Sequence, residues 1–142
     1  VSLAPLWAAA PITIVHALVA VLALAGGLGA LVLKKGSPAH IVAGRVFVAA
    51  MLAAAITSFG ISGVWRGSYS PIHLLSILTI STVPLAIRAA RRGQTRRHAR
   101  VMMLNFMGLL IAGAFAVATP GRVLHDVFAM ARDHMVVAGD AP

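Results

Sequence analysis

Four apolar runs joined by short polar turns leave this chain little choice of architecture. They lie roughly at Pro11 to Leu33, Ile41 to Val64, Ile72 to Ala90 and Val101 to Thr119. Each is close to the length of about 20 residues that crosses bilayer hydrocarbon as a helix. Inside lipid every backbone amide and carbonyl must be satisfied by the chain itself, so such runs fold as α-helices. Composition agrees: of 142 residues 60% are hydrophobic and 11% charged, with a mean hydropathy of +0.94. A soluble core is excluded, and the expectation is an all-α, integral membrane four-helix up-down bundle, one transmembrane domain over residues 1–142. The first run is full length and no positive segment precedes it, so a cleavable signal peptide is not expected.

Punctuation supports the same division. Pro11, Pro38 and Pro71 stand where helices begin, positions at which a missing amide donor costs little. Pro84 falls inside the third run, where it is expected to kink the helix. Pro120-Gly121 breaks the fourth, and over 122–137 apolar Val123, Leu124, Val127, Phe128 and Met130 are interspersed with Arg122, His125, Asp126, Arg132 and Asp133. That pattern reads as an interfacial amphipathic helix.

The net charge of +9 is unevenly placed. Lys34, Lys35, Arg45, Arg88, Arg91, Arg92, Arg96, Arg97 and Arg100 flank the first and third turns, whereas Arg66, Arg122 and Arg132 fall on the other side. By the positive-inside rule the basic turns face the cytoplasm and both termini face the periplasm or exterior. A basic rim attracts anionic lipid head groups. No basic stretch is interleaved with base-stacking aromatics, so nucleic acid is not an expected partner.

The histidines repeat. His16 is followed by seventeen residues and then Lys34-Lys35-Gly36 and His40; His73 is followed by seventeen residues and then Arg91-Arg92-Gly93 and His98. Repetition at this scale points to two duplicated helical hairpins. In an up-down bundle the first and third helices are diagonal, as are the second and fourth, with diagonal axes about 12–14 Å apart. His16 and His73 then share one end of the bundle and His40 and His98 the other, the two layers about 20–27 Å apart. With no cysteine, any metal must be held by nitrogen, oxygen or methionine sulfur.

Such a set suits one or two b-type haems, whose iron takes two imidazoles, whose macrocycle takes an apolar slot and whose propionates take cations. The expected ligand pairs are His16 with His73 and His40 with His98, with Arg45, Arg97 and Arg100 beside the inner layer, and Arg66 and Arg122 able to serve the outer one. Gly26, Gly27, Gly29, Ala30, Gly60 and Gly63 thin the helices where a flat ring or a close helix neighbour would lie. Met102, Met103 and Met107 offer thioethers, though a methionine stripe ordinarily packs or faces lipid. Asn105, Thr57, Ser58, Ser76, Thr79, Ser81 and Thr82 are expected to hydrogen-bond between helices or to their own carbonyls. His125, Asp126, Asp133 and His134 lack a metal-site spacing and read as a solvated face. The spans contain no carboxylate, which argues against a proton-coupled carrier.

Two functions of different class follow. The first is membrane electron transfer through bis-histidine haem, drawing on a quinol or a partner dehydrogenase. The second is a cofactor-free accessory subunit that packs against a larger membrane complex; histidines at a membrane edge also serve as helix-end anchors, and glycines as helix contacts.

The segments His16-Ala17-Leu18, Gly36-Ser37-Pro38-Ala39-His40 through Gly44-Arg45, Ile72-His73-Leu74-Leu75-Ser76, Arg97-His98-Ala99-Arg100 and Pro120-Gly121-Arg122 resemble those of the bacterial domain-of-unknown-function family 2306. The resemblance covers about His16 to Arg122 and implies a four-helix inner-membrane protein, without an activity. More remotely, the four-histidine arrangement is similar in architecture to two-haem membrane cytochromes of the cytochrome b-561 type, although the flanking helices of that group are missing.

Overall fold

The computed structural model describes residues 10–61 and 71–119, together with His125, Asp126 and Ala129. It contains four α-helices, α1 (Pro11–Val32), α2 (Pro38–Ser58), α3 (Pro71–Arg91) and α4 (Thr95–Ala118). All four are long and apolar enough to cross a bilayer. The α1–α2 and α3–α4 hairpins form the largest interfaces, and α2 on α3 and α1 on α4 close the ring, which leaves α1 diagonal to α3. His125, Asp126 and Ala129 are helical; the rest of the expected tail helix over 122–137, and the loop carrying Gly63 and Arg66, lie outside the described residues.

The two hairpins turn alike. Lys34-Lys35-Gly36 and Arg91-Arg92-Gly93 each end on a glycine in the left-handed region, φ +79° at Gly36 and +71° at Gly93. A side chain there would strain the backbone, so glycine is what permits so short a reversal. Ser37 then caps α2 by accepting from the His40 amide at 3.2 Å. Helix α4 starts at Thr95, earlier than the apolar run at Val101, and α2 starts at Pro38 instead of Ile41. The reason is simple: hydropathy marks the buried length of a membrane helix, while its hydrogen bonds continue into the polar rim. Helix α3 runs through Pro84 without interruption.

Size sorts the side chains more than polarity does. The interior is built of Ala23, Gly26 and Gly27 on α1, Ala50, Ala54 and Ala55 on α2, and Ala86 and Ala89 on α3. Large aliphatics such as Leu18, Val21, Ile56, Leu74 and Leu104 are more than 60% exposed and face lipid. Lipid tails are as apolar as leucine, so association rests on close contact between small residues. The closest approach to a neighbouring backbone is at Gly26, where a Cβ would lie 2.8 Å from the nitrogen of Phe47, and at Gly27 it would lie 2.6 Å from the Phe106 ring. Phe47 and Phe106 meet edge to face across the α2–α4 diagonal, centroids 6.0 Å apart, and with Met51 they fill the middle of the bundle. Gly26 and Gly27 are thus helix contacts, the second of the two uses expected for them.

Hydroxyls and one carboxamide join the helices. Ser58 and Ser76 are buried and 2.7 Å apart between α2 and α3. Asn105 on α4 is 93% buried, being 7% exposed; its Nδ2 donates to Thr82 Oγ1 at 3.0 Å and to the Val101 carbonyl at 2.9 Å. Ser81 and Thr82 donate back to the Ile77 and Leu78 carbonyls. Interhelical hydrogen bonds of this kind in lipid contribute about 0.6 kcal/mol each and at most about 1.7. Asn105→Ala should therefore destabilise the bundle by about 1 kcal/mol. A double-mutant cycle with Thr82→Val, read by unfolding in detergent, should assign most of that loss to the pair, and an additive cycle would place it elsewhere.

Candidate functional site

Histidines occupy both ends of the bundle. At the basic end His40, in the first turn of α2, directs Nδ1 to the Ala30 carbonyl of α1 at 3.0 Å. His98, in the first turns of α4, directs Nδ1 to the Ala86 carbonyl of α3, also at 3.0 Å. Ala30 lies four residues before Lys34 and Ala86 five before Arg91, so the duplicated sequence produces a duplicated contact. Each histidine ties the start of one helix to the end of its hairpin partner. Ala30 also accepts from Lys35 Nζ at 2.7 Å, and Leu31 from the same ammonium at 2.5 Å. These carbonyls are among the last of α1, which lack intrahelical donors and carry the negative end of the helix dipole.

At the other end His16 on α1 and His73 on α3 both converge on the last turn of α2. His16 Nδ1 is 3.0 Å from Thr57 Oγ1, and the His73 ring packs on Phe59 with centroids 5.5 Å apart. Ser58, between those two contacts in sequence, bonds Ser76, one turn along from His73. The histidines at this end are thus placed by three consecutive residues, Thr57 and Ser58 of α2 and its C-cap Phe59.

The partners define the tautomers. A carbonyl only accepts, so His40 and His98 carry a proton on Nδ1. Thr57 directs its single hydroxyl proton to the Ala53 and Ala54 carbonyls and therefore accepts from His16 Nδ1–H. In the neutral ring the lone pair then sits on Nε2. Ligating histidines are commonly held this way, with Nδ1–H on a backbone carbonyl or side-chain oxygen and Nε2 toward the metal. Three of the four imidazoles, those of His16, His40 and His98, have the oriented Nδ1 contact that suits a haem ligand, and His73 is placed by its ring contact with Phe59.

Arg45, Arg97 and Arg100 are exposed on the basic rim. Of the methionines, Met102 packs partly buried on the core, while Met103 and Met107 face outward. His125 Nδ1 lies 3.2 Å from Asp126 Oδ1, a pair between adjacent residues. Sequence reasoning missed the backbone acceptors Ala30 and Ala86 and the ring partner Phe59. The repeat does not place the first two, since Ala30 lies ten residues before His40 and Ala86 twelve before His98.

This architecture, four lipid-facing helices in two repeated hairpins with histidines at both ends, defines an integral membrane protein of the small helical-bundle class. The chain belongs to the family described as predicted membrane protein (DUF2306), which matches residues 13–139. No curated protein and no solved structure matches it.

Proposed function

We propose that the protein is a membrane electron carrier with one or two b-type haems, His16 and His73 serving the outer centre and His40 and His98 the inner. The observation that carries this reading is the Nδ1 tether of His16, His40 and His98, which orients three imidazoles and leaves the lone pair on Nε2. When bound, haem supplies reversible one-electron chemistry at a potential set by its axial ligands and surroundings. The chain's own part is to hold the rings, exclude water through the apolar spans and present Arg45, Arg97 and Arg100 to propionates at the rim. A quinol or a partner dehydrogenase is the proposed electron source. Protein purified from haem-replete bacterial membranes should show a Soret band and a bis-imidazole spectrum on reduction. Colourless protein with full helicity would instead support the second reading.

That second reading is a cofactor-free accessory subunit of a larger membrane complex. The closed middle favours it, because Phe47, Phe106 and the Gly26 and Gly27 contacts fill the interior without a guest.

In either case we place the basic turns in the cytoplasm of a bacterial inner membrane, from the nine-to-three division of Lys and Arg. Reporter fusions at Ser37 and Gln94 should read as cytoplasmic and one at Ser68 as exterior. The opposite pattern would invert the bundle.

A further inference from the structure

The basic end of the bundle is dense in cations. The only carboxylates of the chain are Asp126, Asp133 and Asp140, all beyond α4, and among the described residues no lysine or arginine pairs with one. An anionic ligand is a chemical match for this end. Two shallow grooves lie at this end. One, of about 380 Å³, is lined by Gly93, Gln94, Thr95, Arg96 and Arg97 at the α3–α4 turn, none of them an aliphatic or aromatic side chain. The other, of about 420 Å³, is lined by Pro84, Ile87, Arg88 and Arg91.

The second groove is amphipathic along its length. Its residues recur at intervals of three, one and three, so they form a single stripe down α3. Arg88 and Arg91 are exposed at the rim. Below them come Ile87 and Pro84, and the stripe continues on the same face to Ile80 and Ile77, 39% and 52% exposed. Pro84 contributes a compact ring where the larger isoleucines flank it. Guanidinium groups form paired hydrogen bonds to phosphate oxygens, and an apolar track leading from them into the bilayer matches one acyl chain.

We propose that this stripe is a binding site for an anionic glycerophospholipid, its phosphate held by Arg88 and Arg91 and one acyl chain lying along Ile87, Pro84, Ile80 and Ile77. The site is independent of the histidine layers and of any haem. It differs from general attraction to the basic rim, because phosphate and acyl chain must be met by one helix face at once.

Native mass spectrometry of the full chain, released from detergent with equimolar phosphatidylglycerol and phosphatidylcholine, tests it. Phosphatidylglycerol should be retained preferentially. Arg88→Ala with Arg91→Ala should reduce retention about thirty-fold, the effect of two surface cations near an anionic head group, whereas Lys34→Ala with Arg96→Ala should change it less than about twofold. The pair Arg88→Lys with Arg91→Lys, which keeps charge but loses the paired geometry, should bind at an intermediate level. This milder pair decides the matter if the alanine variant fails to fold by circular dichroism. Equal losses from the two alanine pairs, equal retention of phosphatidylcholine, unchanged binding by the lysine pair, or displacement by excess glycerol 3-phosphate would overturn the proposal.

Discussion

Gly26→Ala should be among the most damaging single-methyl additions in this protein. The new Cβ would stand 2.8 Å from the backbone nitrogen of Phe47, 3.1 Å from Val46 Cγ1 and 3.2 Å from the Ala43 carbonyl oxygen. Two of those atoms belong to the α2 backbone, which cannot rotate aside, so α1 and α2 must part along their largest interface. Overpacking costs about 1–3 kcal/mol, and here the upper end applies because the obstacle is main chain. The better helix propensity of alanine returns at most about 1 kcal/mol, so a net loss of about 2 kcal/mol remains. Gly44→Ala and Gly113→Ala are the controls: a Cβ at either meets nothing within 4 Å, and both should be neutral or stabilising by up to about 1 kcal/mol. Equilibrium unfolding in mixed micelles checks all three. A Gly26→Ala protein as stable as Gly44→Ala would mean that the α1–α2 contact is looser than the structure has it.

The same glycines show where sequence reasoning stops. Hydropathy over some twenty residues is a strong signal, and it places all four spans because lipid admits few alternatives for the backbone. It says much less about which face of a span turns inward. In α3 the buried stripe Ser76, Thr79, Val83, Ala86 and Ala89 is no more apolar than the exposed Leu74, Ile77, Leu78 and Leu85. The usual inside-outside contrast is missing when the solvent is itself a hydrocarbon. Glycine and alanine are the available clue, yet Gly26 buried against Phe47 and Gly44 facing open space are identical letters. Helix starts lie earlier than the apolar runs for a related reason: Arg96, Arg97, His98 and Arg100 belong to α4 although none of them belongs to an apolar run, whereas α2 stops at Ser58, short of the run's end at Val64.

Of the candidate site, the repeat conveyed the pairing of hairpins and the matched depths of the histidines. It could not convey that His40 and His98 reach main-chain oxygens, because a carbonyl leaves no mark in the sequence. Thr57 stood out as a hydroxyl within a span, and it bonds both to its own helix and to His16. Phe59 carried no signal, since an aromatic residue near a membrane edge has many ordinary uses.

Those tethers allow a substitution that separates ligation from anchoring, and it has the second large expected effect. Asparagine places an amide donor close to where a histidine places Nδ1–H, but it offers nothing at the position of Nε2. In His40→Asn the bond to the Ala30 carbonyl survives while the proposed iron ligand is lost, and the same holds for His98→Asn at Ala86 and for His16→Asn at Thr57. If the histidines act as two couples, His40→Asn and His98→Asn should each abolish the same inner haem with hairpin stability kept within about 1 kcal/mol, a margin set by one hydrogen bond. His16→Asn should remove the outer haem, as should His73→Ala, and each change should leave the other centre with its bis-imidazole spectrum. The double change within one couple should then cost hardly more than either single change, since a centre already lost cannot be lost again. Should the asparagine variants keep every Soret feature while His40→Ala and His98→Ala loosen the bundle, the basic-end histidines are hairpin tethers alone, and the inner centre must be withdrawn.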